Sequence, residues 1–220
     1  KLLGTFCYTT QAVLPIYFVM RVSREPSTAG PWKFQPKLQG VESAWSPDDG
    51  TYKLYENYHR EIAGDDIGYR FSYDDLGEGE QVTVRMGVSF VSIENARMNL
   101  EAEQQGKTFD QLRAEATAQW DRDLGRIRIE GGTPDQQTIF YTALYHALIH
   151  PSIISDVNGE YPKMESGDTG KADYTRYSVF SLWDTYRNLH PLLTLVYPER
   201  QTDMLRTLVG MYEDWGWLPC

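Results

Sequence analysis

The chain has 220 residues, a formal net charge of −10 and a sequence pI near 4.9. This acidic balance would repel phosphate backbones and anionic lipid surfaces, so we expect no nucleic acid partner. The longest apolar run covers residues 12–20. It is shorter than the roughly 18 residues of a transmembrane helix, so we expect no membrane span. The length allows one or two domains with a sizeable core.

The first part of the chain has the pattern of antiparallel β-strands. Residues 16–22 and 82–90 are rich in β-branched and aromatic side chains. Clusters of turn-forming residues at 47–50 and 64–66 separate such runs. We therefore expect an antiparallel β-sandwich up to about residue 92.

After residue 94 the apolar residues follow a helical period. Residues 108–111 form a predicted capping box, and the helix that they open should end at Gly125. Residues 133–136 form a second box, and Pro151 should end its helix. The sequence thus predicts two capped helices in succession.

Two more helices are predicted near the end of the chain. The first covers residues 178–195, and Pro191 should kink it or end it near His190. The second begins at Pro198, and Gly216 is its expected stop.

The segment between these helix pairs allows two interpretations. Residues 153–161 predict a β-hairpin that turns at Asn158 and Gly159. Residues 156–160 also resemble the start of a calcium loop, but the glycine comes at the fourth position instead of the sixth. Gly167 also stands where the closing glutamate belongs, so we prefer the hairpin.

His146 and His150 have the i, i+4 spacing of a helical zinc pair. A zinc-binding helix of this type carries a glutamate directly after its first histidine, and here Ala147 follows. We therefore interpret both as ordinary helix residues.

Trp183, Asp184 and Arg187 combine the side-chain types of a sugar site on one predicted helix. Carboxylate and guanidinium groups hydrogen-bond ring hydroxyls, and an indole covers the C–H face of a hexose. The alternative from residue types alone is an amphipathic core helix in which Asp184 and Arg187 form an i, i+3 ion pair.

Four stretches of this sequence resemble one protein family. They are LPIYFVMRVSREPSTAGPW (residues 14–32), VRMGVSFVSIENARMNLEAE (84–103), FYTALYHALIHPSIISDVNGEYPKM (140–164) and SVFSLWDTYRNLHPLLTLVYPERQTDMLRTLVGMYEDWGWLP (178–219). The amino-acid sequences of these stretches, and their order along the chain, resemble those of glycoside hydrolase family 92, the calcium-dependent inverting α-mannosidases.

The resemblance implies an α+β multidomain architecture. Residues 1–92 would be the end of an N-terminal β-sandwich domain, residues 93–132 a helical linker, and residues 133–220 the first helices of an (α/α)6 catalytic barrel. The family resemblance also suggests a secreted, periplasmic or cell-surface protein.

The resemblance further implies removal of terminal α-linked mannose from glycans by calcium-assisted inverting hydrolysis. Trp183, Asp184 and Arg187 would then line the subsite for the terminal mannose. No residue here matches the family's catalytic acid or base, so we expect those groups and the calcium ligands outside this chain. Mannose-containing glycans and the remaining segment of the same enzyme are the expected partners.

Two other classes of protein remain as alternatives. A non-catalytic carbohydrate-binding module would keep the aromatic and acidic residues without an acid/base pair. A structural interaction module would instead use exposed apolar faces to contact another protein.

Overall fold

A computed structural model of the protein describes most of the chain. The described residues are 2–5, 13–35, 51–56, 58, 62, 64, 66–163, 166–216 and 218. Within them, small antiparallel sheets precede and accompany a set of helices. This combination confirms the predicted mixture of antiparallel strands and helices. The predicted turn at residues 47–50 lies outside the described residues.

Two three-stranded antiparallel sheets occupy the first part of the chain, with strand orders β1-β2-β6 and β4-β3-β5. The strands are β1 (Leu2–Thr5), β2 (Val13–Val22), β3 (Thr28–Gln35), β4 (Thr51–Leu54), β5 (Ile67–Ser72) and β6 (Val84–Ser89). The two runs predicted as strands become neighbours, because Tyr17 of β2 pairs with Ser89 of β6 and Val22 pairs with Val84. The stacking of these sheets as a sandwich stays a prediction.

Six helices follow β6 in the described residues. They are α1 (Ile93–Gln104), α2 (Phe109–Leu124), α3 (Pro134–Leu148), α4 (Leu182–Thr185), α5 (Leu189–Val196) and α6 (Pro198–Trp215). Both predicted capping boxes are present, at the starts of α2 and α3. Gly125 caps α2, and Gly216 ends α6 in the left-handed conformation that glycine tolerates best. None of these helices has both the length and the apolar character needed to cross a bilayer.

Helix α1 lies directly on strand β6. The hydroxyl of Ser92 caps its first turn by accepting a hydrogen bond from the amide of Asn95. Ala96 is fully buried, and Gly87 of β6 has no Cβ to separate the strand from the helix. A close approach between helix and strand therefore depends on two small residues.

The region predicted as a hairpin at residues 153–161 is arranged differently. The turn at Asn158 and Gly159 is present, since the Gly159 amide donates to the carbonyl of Asp156. However, Ile153 pairs with Tyr177, and the strands that pair are β7 (Glu160–Pro162) and β8 (Thr169–Lys171). The prediction was wrong about the pairing because the preceding segment finds a partner much later in the chain.

The single helix predicted over residues 178–195 is divided in two. Helix α4 ends at Thr185, and α5 begins at Leu189 with Pro191 in its first turn. A proline clashes with the carbonyl four residues earlier, here that of Arg187, so the helix cannot run through. The break therefore lies before the proline, and Pro191 starts a new helix instead of ending the old one.

The helical part has one apolar core, which holds the last three helices on α3. Its buried members are Leu144, Tyr177, Phe180, Leu193, Tyr197, Met204 and Met211. Burying one large apolar side chain contributes about 1.5–3 kcal/mol, so this cluster stabilises the packing of these helices. Residues 177–180 place two of these side chains immediately before α4.

A buried polar network joins the sheet, α1 and the turn before β7. Asp156 accepts hydrogen bonds from Ser89 at 2.7 Å, from Asn95 at 2.8 Å and from Asn99 at 2.6 Å. Asn95 also donates to Glu160 at 2.9 Å, and this bond is the main cause of a lowered pKa of the Glu160 carboxyl. The side chain of Asp156 is thus a structural acceptor, which contradicts the alternative of a calcium loop at residues 156–160.

We expect Gly87→Ala to loosen α1 from β6. A Cβ at Gly87 would lie 2.2 Å from the Ala96 carbonyl oxygen and 2.5 Å from the Leu100 Cβ, so the helix must move. Overpacking of this kind costs about 1–3 kcal/mol. Hydrogen exchange of the full-length protein, followed by mass spectrometry, should show faster exchange of the α1 amides.

Gly77→Ala is the matched control for that experiment. Its added Cβ would meet only the Glu80 carboxylate at 3.7 Å, an ordinary contact. Exchange of α1 should then match the wild type. Equal protection of α1 in both variants would show that the contact between Gly87 and Ala96 does not limit packing.

Candidate functional site

The first turn of α4 is fixed by Ser181. Its carbonyl oxygen accepts hydrogen bonds from the amides of Asp184 at 3.1 Å and Thr185 at 3.2 Å. Its hydroxyl donates to the Asp184 carboxylate at 2.5 Å. One carboxylate oxygen of Asp184 is therefore occupied within the turn, and no other protein donor to Asp184 is present among the described residues.

Trp183 and Asp184 lie side by side on the surface. The side chain of Trp183 is 76% exposed, and Asp184 is also exposed. An indole with this exposure is unusual for a residue with a purely structural role. An aromatic side chain and a carboxylate are therefore exposed at consecutive positions, and their role as sugar contacts stays a prediction.

Arg187 takes a different position from the predicted one. Its Nε donates to the Tyr186 hydroxyl at 2.8 Å, and its guanidinium lies 5.3 Å from the Tyr186 ring centroid. No salt bridge joins it to Asp184 in the described part of the chain. The alternative of an i, i+3 ion pair is therefore wrong, because the helix ends at Thr185 and Arg187 turns toward Tyr186.

The inner side of α4 carries a hydrogen-bonded chain that the sequence analysis missed. Thr185 Oγ1 lies 3.0 Å from His190 Nε2, and His190 Nδ1 lies 3.1 Å from Gln201 Oε1. The His190 ring is 6.4 Å from that of Phe180. The only sequence signal was His190, seven residues after Trp183. The role of Gln201 could not be found because it depends on how α5 packs on α6.

The described residues contain no group of three or more His, Cys, Asp or Glu side chains that could hold a metal ion. His146 is exposed in α3, as expected for an ordinary helix residue, whereas His150 is exposed two residues after the helix ends at Leu148, so the two do not share one helix.

A concave region lies between α2 and the start of α6, with a volume of about 620 Å³. Its aromatic wall includes Trp120 and Tyr177. Its carboxylates already have protein partners, since Asp123 pairs with Arg200 and Asp203 accepts from the amide of Thr175. Because these acceptors hold neighbouring elements together, the cleft is a weaker candidate than α4.

The profile described as the glycosyl hydrolase family 92 catalytic domain matches residues 95–220, more than half of the chain. A protein from Arthroderma benhamiae, described as an uncharacterized secreted glycosidase, is 34% identical over 112 residues, which are 49% of this chain and 14% of that protein.

Solved structures from Bacteroides thetaiotaomicron are also similar. The family GH92 α-mannosidase BT3965 is 30% identical with a TM-score of 0.69, over 91% of this chain and 25% of that one. It has also been solved in complex with mannoimidazole. The family GH92 inverting mannosidase BT2199 is 27% identical with a TM-score of 0.71, over 93% and 25%.

The chain thus spans only a quarter or less of the length of these relatives. The sequence profile and the structural similarity nevertheless agree on one family across both strands and helices. The chain belongs to glycosyl hydrolase family 92.

Proposed function

We propose that this chain is part of an α-mannosidase that removes terminal α-linked mannose from glycans. The observation that carries the proposal is the exposed pair of Trp183 and Asp184, in a chain of this glycosidase family. The solved relatives named as α-mannosidases support mannose as the sugar.

The terminal mannose would be held by α4. The free oxygen and remaining lone pairs of Asp184 would accept hydrogen bonds from neighbouring ring hydroxyls, because among the described residues only Ser181 donates to this carboxylate through its side chain. The indole of Trp183 would cover the C–H face of the same ring. Arg187 would join them by leaving the Tyr186 hydroxyl, which requires only rotation of an exposed side chain.

We propose inversion of the anomeric carbon by a single displacement. That reaction needs a protonated carboxylic acid at the leaving oxygen and a carboxylate about 6.5–9.5 Å away that activates water. We assign neither role to a residue of this chain and propose that both come from the remaining segment of the enzyme. The contribution of α4 would be to hold the ring while it distorts toward the transition state.

The proposed architecture follows the family. Residues 1–92 would complete a β-sandwich domain, residues 93–132 would link the domains, and residues 133–220 would begin an (α/α)6 barrel. In support, the α6 side chains of Leu205, Val209 and Tyr212 are exposed at i, i+4 and i+7, a stripe suited to packing against another helix. Since the relative from Arthroderma benhamiae is described as secreted, we propose that the enzyme acts outside the cytoplasm.

Replacing Asp184 by alanine in the full-length enzyme should lower kcat/KM for an α-mannoside by roughly 100- to 1,000-fold. The lost hydrogen bonds would strengthen as the ring distorts, so the loss exceeds that of ground-state binding. The melting temperature should change little, because Asp184 is exposed and bonds only to Ser181. Steady-state kinetics and thermal unfolding measure the two effects.

Asp121→Ala is the control, since it removes an exposed carboxylate from α2, away from α4. It should keep wild-type kinetics. If Asp184→Ala also kept them, or mainly lowered the melting temperature, Asp184 would not contact the substrate.

The proposed calcium can be tested by removing it. The described residues offer no complete ligand set, so we propose that its ligands come from outside this chain. When bound, calcium would contact sugar hydroxyls as a hard, oxygen-seeking cation. Treating the full-length enzyme with EGTA should abolish mannosidase activity, and excess Ca²⁺ should restore it. Full activity after exhaustive chelation would remove calcium from the proposal.

Residues 1–220 expressed alone should show no mannosidase activity and should bind an apolar dye such as ANS. The exposed stripe on α6 would remain in water, and apolar patches of a few hundred Å² favour association. Dye fluorescence and activity should be compared with those of the full-length enzyme. A monomeric, active product that does not bind the dye would contradict this expectation.

A further inference from the structure

We infer that His190 and Gln201 position the sugar-holding face of α4 from the opposite side of that helix. Helix α4 has four residues, so its own backbone hydrogen bonds give it little rigidity. Its outer residues have few contacts with the rest of the protein, since Trp183 and Asp184 are exposed. The orientation of these side chains must therefore be set through the inner residues, Leu182 and Thr185.

Thr185 is hydrogen-bonded to both α5 and its own turn. Its Oγ1 lies 3.0 Å from the Ser181 carbonyl oxygen. The same oxygen lies 3.0 Å from His190 Nε2, and the imidazole tautomer decides which of the two supplies the proton of that bond. Thr185 is thus hydrogen-bonded to α5 at the residue that follows Asp184.

Gln201 fixes the imidazole in turn. Its side-chain oxygen lies 3.1 Å from His190 Nδ1, and the residue is 6% exposed in the first turns of α6. The buried Phe180 ring lies 6.4 Å from the imidazole and limits its movement on the other side. The series from Gln201 through His190 to Thr185 connects the long α6 with the short α4.

This positioning role rests on the proposed function, because it acts on the sugar contacts of Asp184. His190 itself lies on the inner side and is assigned no contact with the sugar. A displacement of about 1 Å at a sugar contact can lower the rate on the order of 100-fold. The hydrogen bond between Thr185 and His190 would prevent such a displacement.

The test is a double-mutant cycle in the full-length enzyme, with kcat/KM for an α-mannoside and the Kd of mannoimidazole as readouts. His190→Ala should lower kcat/KM on the order of 10- to 100-fold and weaken mannoimidazole binding. In the Asp184→Ala background, the same change should cost much less, because the contact that it positions is already absent.

Conservative variants separate positioning from folding. His190→Gln can place a side-chain amide, which has both a donor and an acceptor, near the position of Nε2 and should recover part of the activity, whereas His190→Asn cannot reach Thr185 and should resemble alanine. Should His190→Ala not fold, Thr185→Val removes the same hydrogen bond with little change in volume and should give the same loss. His146→Ala, on the exposed surface of α3, should match the wild type.

The outcomes are distinguishable. A large loss in Asp184→Ala with wild-type kinetics in both His190→Ala and Thr185→Val would overturn the positioning role and leave the proposed function intact. Additive losses at Asp184 and His190 would also overturn it. If Asp184→Ala kept wild-type activity, the proposed sugar site would fail, and the positioning role would fail with it.

Discussion

The buried carboxylate of Asp156 is the constraint on which the rest of the structure depends. Its three side-chain donors come from β6 and from two positions on α1, 57 to 67 residues earlier in the chain. A buried carboxylate is strongly destabilising without such partners, and losing one donor leaves part of that cost uncompensated. The network therefore admits only one placement of α1 relative to the turn before β7. Strand β6 and helix α1 are thus joined to the turn before β7 through this carboxylate.

A second buried charge, that of Arg176, fixes the turn and strand β7 relative to the later helices. The Arg176 guanidinium lies 4.2 Å from the Tyr161 ring centroid and pairs with Asp214 of α6 at 3.0 Å. Gly210 makes this possible, because a Cβ there would lie 2.0 Å from the guanidinium. The strand β7 is thus fixed to α6, and Arg176 directly precedes the residues that enter the apolar core. The orientation of α4 follows from where Phe180 is buried.

The sequence predicted the features that are decided locally. Both capping boxes and the glycine at the end of α6 involve residues within one helical turn, so their chemistry is readable from spacing. The division between α4 and α5 could have been predicted, because Pro191 excludes a continuous helix through Arg187. It was missed because the helical period of the apolar residues continues across the break. The hydrogen-bond partners of Asp156 and His190 could not be predicted from the sequence, because they depend on long-range packing. The assignment of Trp183 and Asp184 as sugar contacts rests on side-chain type and stays a prediction.

The short length of α4 explains how one segment can be fixed on one side and open on the other. At about 100° per residue, positions three apart share a face, so Leu182 and Thr185 point inward together. Leu182 packs against the apolar core, and Thr185 is hydrogen-bonded to His190. The residues between them, Trp183 and Asp184, must then face outward. A ligand that binds such preorganised groups loses less free energy to ordering, because the inner contacts have already ordered the backbone. The exposed indole is therefore compatible with a stable fold, since the inner face supplies the stability and the outer face remains free to contact the proposed sugar.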